Sequence, residues 1–354
     1  MPPVNMRDVA RRAGVSISTV SNAVNHPERV SADSLRRVQN AIEKLGFVRN
    51  EAARQLRHGR SRTLGFIMLD GKNPFFMDIA RGAEDRAAEF GLTLTFGDSA
   101  RNVNRELSYL DLFAQQRVQG VLISPYGDVA AKLSQLADRG IASVLLNRQS
   151  ADRKFSSVSV DDVAGGRLAI EHLIARGRRR IAFVGSEETS QFVDRLAGVR
   201  EVLEVNPDVC FELIEIATPH VVDGRIAGAE IAARNIDARP DAIFASNDVV
   251  AMGILQGLAM GPRPVLVPDE IALIGYDNID FAESAVVPLS SVKHPAALIG
   301  STAVELLVAE SQDLQVPKQQ IVYRPEIVER ASTGPVAKTK SVSVRQSSAR
   351  RLLR

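Results

Sequence analysis

The stretch "RDVARRAGVSISTVSNAVN", residues 7–25, contains two short amphipathic segments separated by a single glycine, Gly14. Small apolar residues recur at helical spacing in both segments, and Ser16 stands where the N-cap of a second helix is expected. A helix, a tight glycine turn and a second helix are the parts of a helix-turn-helix motif. The stretch therefore predicts a small helical unit of that type.

A third amphipathic segment ends at Gly46, so residues 5–46 are predicted to form three short helices around a common core. The second helix leaves Ile17, Ser18 and Asn22 outside its apolar stripe. Small and hydrogen-bonding side chains on a free helix face suit the base edges of a DNA major groove. The alternative is a small helical bundle with an ordinary solvated face.

Charge is distributed unevenly along the 354 residues. Residues 1–62 hold twelve Lys and Arg against five Asp and Glu, residues 335–354 hold six against none, and the segment between them is acidic. A basic end on an acidic body predicts that this end meets a polyanion. The aperiodic residues 334–354 predict a disordered basic tail that has too few heptads for a tetramerising coiled coil.

Cysteine usage and hydropathy bear on the compartment. Cys210 is the single cysteine, which excludes an internal disulfide framework and favours a small buried apolar role for this side chain. The N-terminal residues lack the apolar core of a signal peptide, and no stretch approaches the roughly 20 apolar residues of a membrane helix. We expect a cytoplasmic protein without a membrane partner.

From Thr63 onward, short apolar runs alternate with amphipathic stretches. This alternation predicts two lobes, each a parallel sheet covered by helices on both faces. The chain is expected to cross between the lobes at 157–160 and to return at 288–294, before a helix over 295–310. The predicted limits are 1–49 for the head, 50–62 for a hinge helix and linker, 63–160 with 293–320 for the first lobe, and 161–290 with 321–333 for the second lobe.

Residues 50–57, NEAARQLR, are compatible with a short helix in which Ala53 is small and Leu56 is apolar. About eight residues are too few for a stable isolated helix. Such a segment would become ordered when paired with its twin from a second chain on DNA, where Leu56 enters the minor groove as a wedge between base steps. The alternative is a simple linker in which Leu56 packs on the body.

Two hinged α/β lobes form a cleft, and ligands bind at the carboxyl ends of its parallel strands. The strongest rival class is an enzyme with two nucleotide-binding lobes, but the chain lacks GxxxxGK(S/T) and GxGxxG motifs, and its five histidines lack metal-ligand spacing. We therefore expect no catalytic residue, metal or cofactor. A secreted sugar receptor shares the lobes, but it would need an export signal and would lack a basic head.

Nine motifs in unbroken order resemble the LacI/GalR family of bacterial repressors over residues 5–332, among them DVARRAGVSISTVSNAVN, NEAARQLR, FASNDVVAMGILQGL and VPDEIALIGYDNIDFAE. The resemblance implies a small all-α helix-turn-helix head and an α/β, periplasmic-binding-protein-like body of two doubly wound parallel-sheet lobes. It also implies a transcriptional repressor that binds a palindromic operator in double-stranded DNA as a homodimer. A small effector, a sugar or a sugar derivative, would occupy the cleft and either release or tighten the operator.

By this resemblance Ile17, Ser18 and Asn22 read the major groove, and Leu56 is the intercalating residue. The family often has arginine at the position of Asn22, and we expect an altered preference here because asparagine binds adenine through N6 and N7. Hydroxyl groups near the start of the second helix are candidates for phosphate contacts. The candidate DNA-binding residues are Ser16, Ile17, Ser18, Thr19, Ser21, Asn22, Asn25, Ala53 and Leu56.

The resemblance also gives the candidate effector-binding residues. Asp277 resembles the family's acid that accepts paired hydroxyls, and the family often has aspartate at the position of Asn147. An arginine and acids in one cleft suit a polyhydroxylated ligand, whereas Arg148 and Arg195 together equally suit a carboxylate or a phosphate. The candidates are Phe75, Phe76, Asn147, Arg148, Asp161, Arg195, His220, Asn247 and Asp277.

Structural alternatives accompany several of these candidates. Phe75 and Phe76 begin a helix and are suited to core packing, and Asn247 is suited to capping a helix N-terminus. Arg195 precedes LAG on a helix whose face is otherwise solvated, and a lone histidine such as His220 more often has a structural role.

Overall fold

The computed structural model describes residues 4–47, 61–261 and 263–334. The chain divides into two compact units, Met1–Ser61 and Arg62–Arg354, here called the head and the body. Within the described ranges, no helix combines the length and the apolar character needed to cross a membrane.

The head contains three α-helices whose ends follow from local sequence. A capping box between Asn5 and Asp8 starts the first helix, and Gly14, with φ of 63°, ends it in the left-handed conformation that glycine tolerates best. Val9, Val20 and Val38, one from each helix, are fully buried in the small core. The predicted three-helix head is confirmed, with α1 at Met6–Ala13, α2 at Ile17–Asn25, a 3-10 turn at Pro27–Arg29 and α3 at Ala32–Leu45.

The first lobe of the body is a six-stranded, all-parallel sheet in the order β11-β5-β4-β3-β1-β2. Its central strands read as apolar runs because helices cover both of their faces. The strands are β1 Thr63–Met68, β2 Thr93–Asp98, β3 Gly120–Ile123, β4 Ala142–Leu146, β5 Ser156–Val160 and β11 Gln320–Tyr323, and the helices are α4 Pro74–Glu89, α5 Val103–Gln116, α6 Ala130–Ala137 and α12 Ala296–Gln312.

The second lobe repeats this plan in the order β12-β10-β9-β8-β6-β7, with β12 as the antiparallel edge strand. Its strands are β6 Arg180–Gly185, β7 Cys210–Glu215, β8 Ala242–Ala245, β9 Ala272–Asp277, β10 Ser290–Lys293 and β12 Glu326–Val328. Its helices are α7 Asp162–Ala175, α8 Ser190–Glu204, α9 Val221–Ala233, α10 Asp248–Ala259 and α11 Asp280–Ser284, with a 3-10 turn at Ile236–Ala238. The predicted α/β class with two doubly wound lobes is confirmed.

The crossings between lobes differ from the predicted positions. Residues 157–160 belong to the buried strand β5, and the chain crosses immediately after it. Residues 290–293 form β10 rather than a crossing, and 320–323 form β11 of the first lobe, where a second-lobe segment was expected. These strands were missed because they are short, lie at or near sheet edges and lack a dense apolar run.

Two features of the packing depart from or extend the sequence analysis. Cys210 is exposed rather than buried, because it begins the edge strand β7. The helices α4 and α12 cross at two glycines, so closely that a Cβ atom on Gly82 would lie 2.0 Å from the Ala297 carbonyl oxygen, and one on Gly300 would lie 2.0 Å from that of Ile79. This close crossing fixes α12 against the first lobe after the chain returns from the second.

Candidate functional site

The N-terminal turn of α2 is held by hydroxyl groups. Ser16 is the N-cap, and its Oγ accepts a hydrogen bond from the Thr19 backbone N–H at 3.0 Å. The same Oγ lies 2.7 Å from Ser18 Oγ and 2.8 Å from Thr19 Oγ1. Ser16 and Thr19 are therefore used for capping, and this network fixes the orientation of the turn.

The outer face of α2 presents uncharged side chains. Ile17 is 47% exposed, and Ser18 and Asn22 are also exposed. Asn25 is half-buried, and its Nδ2 donates to the Ser21 carbonyl oxygen at 2.8 Å, so this side chain supports the end of the helix. The predicted positions Ala53 and Leu56 lie outside the described residues.

A cleft between the two lobes of the body contains a buried charge cluster centred on Arg195. Arg195 Nε donates to Asp162 Oδ1 at 2.9 Å, Nη1 donates to the Ser246 carbonyl oxygen, and Nη2 lies 3.9 Å from Asp277 Oδ1. The guanidinium group stacks 3.5 Å from the centroid of the Tyr276 ring. Burial opposes the charge on Arg195, but Asp162, Tyr276 and Asp277 outweigh that effect and raise its pKa.

Asp277 joins the two lobes at the centre of the cleft. Its Oδ2 accepts a hydrogen bond from Asn73 Nδ2 of the first lobe at 2.8 Å, and its Oδ1 lies 3.2 Å from His294 Nε2. Burial, followed by the nearby Asp277 carboxylate, raises the pKa of Asp248 well above its ordinary value. Asp248 accepts hydrogen bonds from the Ile279 backbone N–H at 2.9 Å and Ser291 Oγ at 2.7 Å, so it anchors the chain just after Asp277.

A second set of contacts joins the lobes at the rim of the cleft. His220 Nε2 of the second lobe lies 2.7 Å from Asp70 Oδ2 of the first, and Arg101 Nη1 lies 3.1 Å from Glu188 Oε2 across the same gap. Arg101 Nε lies 3.5 Å from Asp70 Oδ2. These three contacts form a continuous polar chain, Glu188–Arg101–Asp70–His220, across the rim.

Aromatic side chains form the apolar part of the cleft wall. Phe75 and Phe76 from α4 and Phe192 from α8 line the cavity, and the Phe75 ring centroid lies 4.2 Å from that of His294. The cavity has a volume of about 700 Å³ when its open mouth is included, a size typical of small-molecule sites. Aromatic faces beside fixed polar groups suit a ligand that carries both C–H surface and hydroxyl groups.

Six of the nine candidate effector-binding residues line this cavity: Phe75, Phe76, Asn147, Arg195, Asn247 and Asp277. The alternatives given for three of them hold at the same time, because Phe75 and Phe76 are buried and Asn247 Oδ1 caps α10 by accepting the Val250 N–H at 2.7 Å. Capping and cleft lining are therefore compatible roles.

The structure places the other three candidates elsewhere. Arg148 Nη1 donates to the Gly127 carbonyl oxygen at 3.1 Å, in a separate depression of the first lobe. Asp161 is the N-cap of α7 and accepts the Ala164 N–H at 2.9 Å. His220 contacts Asp70 at the rim rather than lining the cavity.

Several lining residues were missed by the sequence analysis. Asp162 directly follows Asp161, so the two acids could not be told apart before the start of α7 was known. His294 follows β10, a strand that was itself missed. The missed cavity residues with polar side chains include Asp70, Asn73, Arg101, Asp162, Gln191 and His294.

The fold and the two surfaces together define a class of protein: a regulator with a helix-turn-helix head and a ligand-binding body of two lobes. A model of bacterial regulatory proteins of the lacI family matches residues 5–50, and a periplasmic binding protein-like domain matches residues 170–333. The ribose operon repressor of Bacillus subtilis is 35% identical over 306 residues, which cover 86% of this chain and 90% of that protein.

Solved structures agree with this assignment. The lac repressor dimer bound to operator and the anti-inducer ONPF is 26% identical, with a TM-score of 0.79 and coverage of 94% of this chain and 99% of that one. A LacI family regulator from Enterococcus faecium with bound ribose is 26% identical, with a TM-score of 0.68 and coverage of 77% and 99%. The chain belongs to the LacI family of bacterial regulatory proteins, and it is a DNA-binding transcriptional regulator rather than an enzyme.

Proposed function

We propose that this regulator is a repressor that binds a palindromic operator as a homodimer in the cytoplasm and that a sugar-like effector in the cleft controls its affinity. The observation that carries the proposal is the bridging of two lobes through a polar cavity, Asn73 to Asp277 at its centre and Asp70 to His220 at its rim. A ligand that enters this cavity must meet groups from both lobes. Its binding therefore changes the relative energies of lobe orientations.

The α2 face supports direct readout of base edges. Ile17 offers an apolar contact for a thymine methyl group, Ser18 can donate or accept, and Asn22 can bind adenine bidentately. No charged residue lies within α2, so phosphate neutralisation falls to neighbouring cations such as Arg11, whose side chain is 81% exposed. Ser16, Thr19 and Ser21 place hydroxyl groups where phosphate contacts are expected.

Exposed apolar side chains on the body support the dimer. Val222 and Ile226, one helical turn apart on α9, are 56% and 50% exposed, and Met77 on α4 and Phe281 on α11 are 50% and 55% exposed. Adjacent exposed apolar side chains, such as Val222 and Ile226, are a feature of association surfaces. The lac repressor structure to which this chain is similar is itself a dimer on its operator.

Effector control would act through the linker between body and head, residues 50–62, where Ala53 and Leu56 are proposed to enter the operator's minor groove. Coupling free energies between sites are about 1–3 kcal/mol, which corresponds to roughly 5- to 150-fold in operator affinity. The geometry is compatible with either sign of control.

An electrophoretic shift assay tests the proposal. Full-length protein is mixed with labelled fragments of DNA from upstream of its own gene, in moderate salt with excess nonspecific DNA, and ribose and other sugars are then added. We expect selective retardation of one fragment and a change in that retardation with one sugar. Equal retardation of all fragments, unaffected by every sugar, would contradict it.

A further inference from the structure

The charged groups that line the interlobe cleft occur in pairs. Two arginines line it among the described residues, Arg101 and Arg195. Arg195 pairs with Asp162 through Nε and lies near Asp277 through Nη2, and its Nη1 donates to the Ser246 carbonyl oxygen. An anionic ligand at Arg195 would have to compete with two carboxylates for one guanidinium group.

Arg101 is likewise paired with two carboxylates at the rim. Its Nε lies 3.5 Å from Asp70 Oδ2, its Nη1 lies 3.1 Å from Glu188 Oε2, and its side chain is 10% exposed. From the sequence, Arg148 together with Arg195 equally suits an anionic ligand. The guanidinium group of Arg148 instead donates to the Gly127 carbonyl oxygen in a different depression. Among the described residues that line the cleft, both arginines thus lie within ion-pair distance of carboxylates that a phosphate or carboxylate ligand would have to displace.

Carboxylates outnumber guanidinium groups around the cavity. Asp70, Asp162 and Asp277 line it together with the two arginines. A phosphate or carboxylate in this space would face a net negative lining, and like charges within about 4–6 Å oppose each other strongly where water is excluded. An uncharged ligand does not incur this cost.

Four buried polar atoms of the cavity wall have no hydrogen-bond partner among the described residues. They are Asn147 Nδ2, Ser246 Oγ, His294 Nδ1 and Arg101 Nε, the last of which faces Asp70 at 3.5 Å. Asn147 is 9% exposed, and its conformation is unusual for a non-glycine residue, with φ of 54°. A buried amide donor without a partner is unfavourable, so a ligand that supplies an acceptor there gains affinity.

Resting on the proposed function, we propose that the effector is an uncharged polyhydroxylated molecule and that Asp70 is a specificity residue that excludes its phosphorylated and carboxylated forms by holding Arg101. Hydroxyl groups both donate and accept, so they satisfy the amide of Asn147 and the carboxylate of Asp277 at once. Phe75, Phe76 and Phe192 cover the C–H faces of such a ligand.

Thermal shift followed by calorimetry on the full-length protein tests the proposal with matched probes: ribose against ribose phosphate, and glucose against glucose phosphate and gluconate, extended to other pentoses, hexoses and polyols. We expect an uncharged member to bind at least about tenfold more tightly than its charged counterparts, a difference of about 1.4 kcal/mol. Tighter binding of any phosphate or acid than of its parent sugar overturns the proposal, as does a panel in which no uncharged compound binds.

Two variants test the role of Asp70. Asp70→Asn should release Arg101 and reduce the preference for the uncharged probe about tenfold. Glu188→Gln releases the same guanidinium group from an exposed position, so it gives the answer even if Asp70→Asn does not fold. Asp237→Asn, an equal charge change at an exposed residue before β8, is the control and should keep the wild-type preference. An unchanged preference in both test variants removes Asp70 from this role.

Binding of the protein to upstream DNA fragments, measured on the same samples, distinguishes failure of the proposed function from failure of the inference about the effector. Loss of all fragment selectivity contradicts the proposed function. Selective retention together with a phosphate or acid as the tightest probe overturns the inference alone.

Discussion

The α2 face of the head and the cleft of the body are both recognition surfaces, but they are built in opposite ways. On α2, Ile17, Ser18 and Asn22 are exposed and uncharged, and the hydrogen bond of Ser18 is to the neighbouring N-cap, Ser16. In the cleft, Arg195 and Asp277 are buried, charged and bonded to groups from distant parts of the sequence. Ile17 and Asn22 should therefore be replaceable with little loss of stability, whereas Arg195 and Asp277 should not.

The largest expected effect is at Arg195. Arg195→Ala leaves Asp162 and Asp277 buried without their main counter-charge, so the free energy of unfolding should fall by about 3–5 kcal/mol. Urea denaturation measures it. Arg167→Ala, which removes an exposed pair with Glu201, is the matched control and should cost at most about 1 kcal/mol. An equal loss of unfolding free energy in the two variants would contradict the distinction between the cleft and the surface.

A substitution outside both recognition surfaces tests whether the stability of the body depends on close packing as well as on the cleft. The helices of the body cross closely at glycines such as Gly82. In Gly82→Ala the new methyl group would meet the Ala297 carbonyl oxygen, so α4 and α12 must separate, at an expected cost of about 1–3 kcal/mol. Calorimetric unfolding measures this loss. Glu84→Ala, at an exposed position of the same helix, should leave the transition nearly unchanged.

On the head, Asn22→Arg should change base preference without changing stability. We expect selection from a random DNA library to move from adenine toward guanine at the facing base pair, with about 1–3 kcal/mol of discrimination. Asn40→Arg adds the same charge to an exposed position of α3 and should leave the selected sequence unchanged. Retention of guanine opposite wild-type Asn22 would rule out the adenine contact.

The smallest effect concerns pH. Burial lowers the pKa of His172, whose Nε2 lies 2.8 Å from Thr333 Oγ1. The unfolded chain therefore takes up this proton at a higher pH than the folded chain does. The resulting contribution is complete above the unfolded pKa of about 6.5 and is lost as pH falls toward the lower folded value.

The free energy of unfolding, obtained from denaturant titrations between neutral and mildly acidic pH, should accordingly fall less in His172→Gln than in wild type, by a few tenths of a kcal/mol to about 1 kcal/mol. His26→Gln in the head, where the imidazole is half-exposed, is the control and should follow the wild-type profile. A steeper loss in His172→Gln would contradict the assigned sign.

Sequence reasoning succeeded where the relevant contacts are local. The N-cap at Ser16, the turn at Gly14 and the free face of α2 all arise within about twelve residues, so helical periodicity and capping preference are sufficient to predict them. The alternation of strands and helices likewise predicted the α/β class, because the central strands are buried by their neighbouring helices and read as apolar runs.

The cleft was only partly predictable because its contacts join distant segments. Asn73 and Asp277 are 204 residues apart, and Arg101 and Glu188 are 87 apart. Spacing along the chain carries no signal for such pairs. Arg148 shows the limit clearly: it adjoins a cavity residue, Asn147, yet its side chain reaches the Gly127 carbonyl oxygen in another depression.

The return of α12 and β11 to the first lobe has a consequence for how the body responds to proteases. The chain passes between lobes after β5, after β10 and again between β11 and β12. Three connecting segments of the backbone therefore join the lobes. A cut in any one of them leaves two intact tethers, and neither lobe can then be shed as a separate fragment. Limited digestion at these sites should nick the polypeptide on a denaturing gel while the native particle keeps its mass.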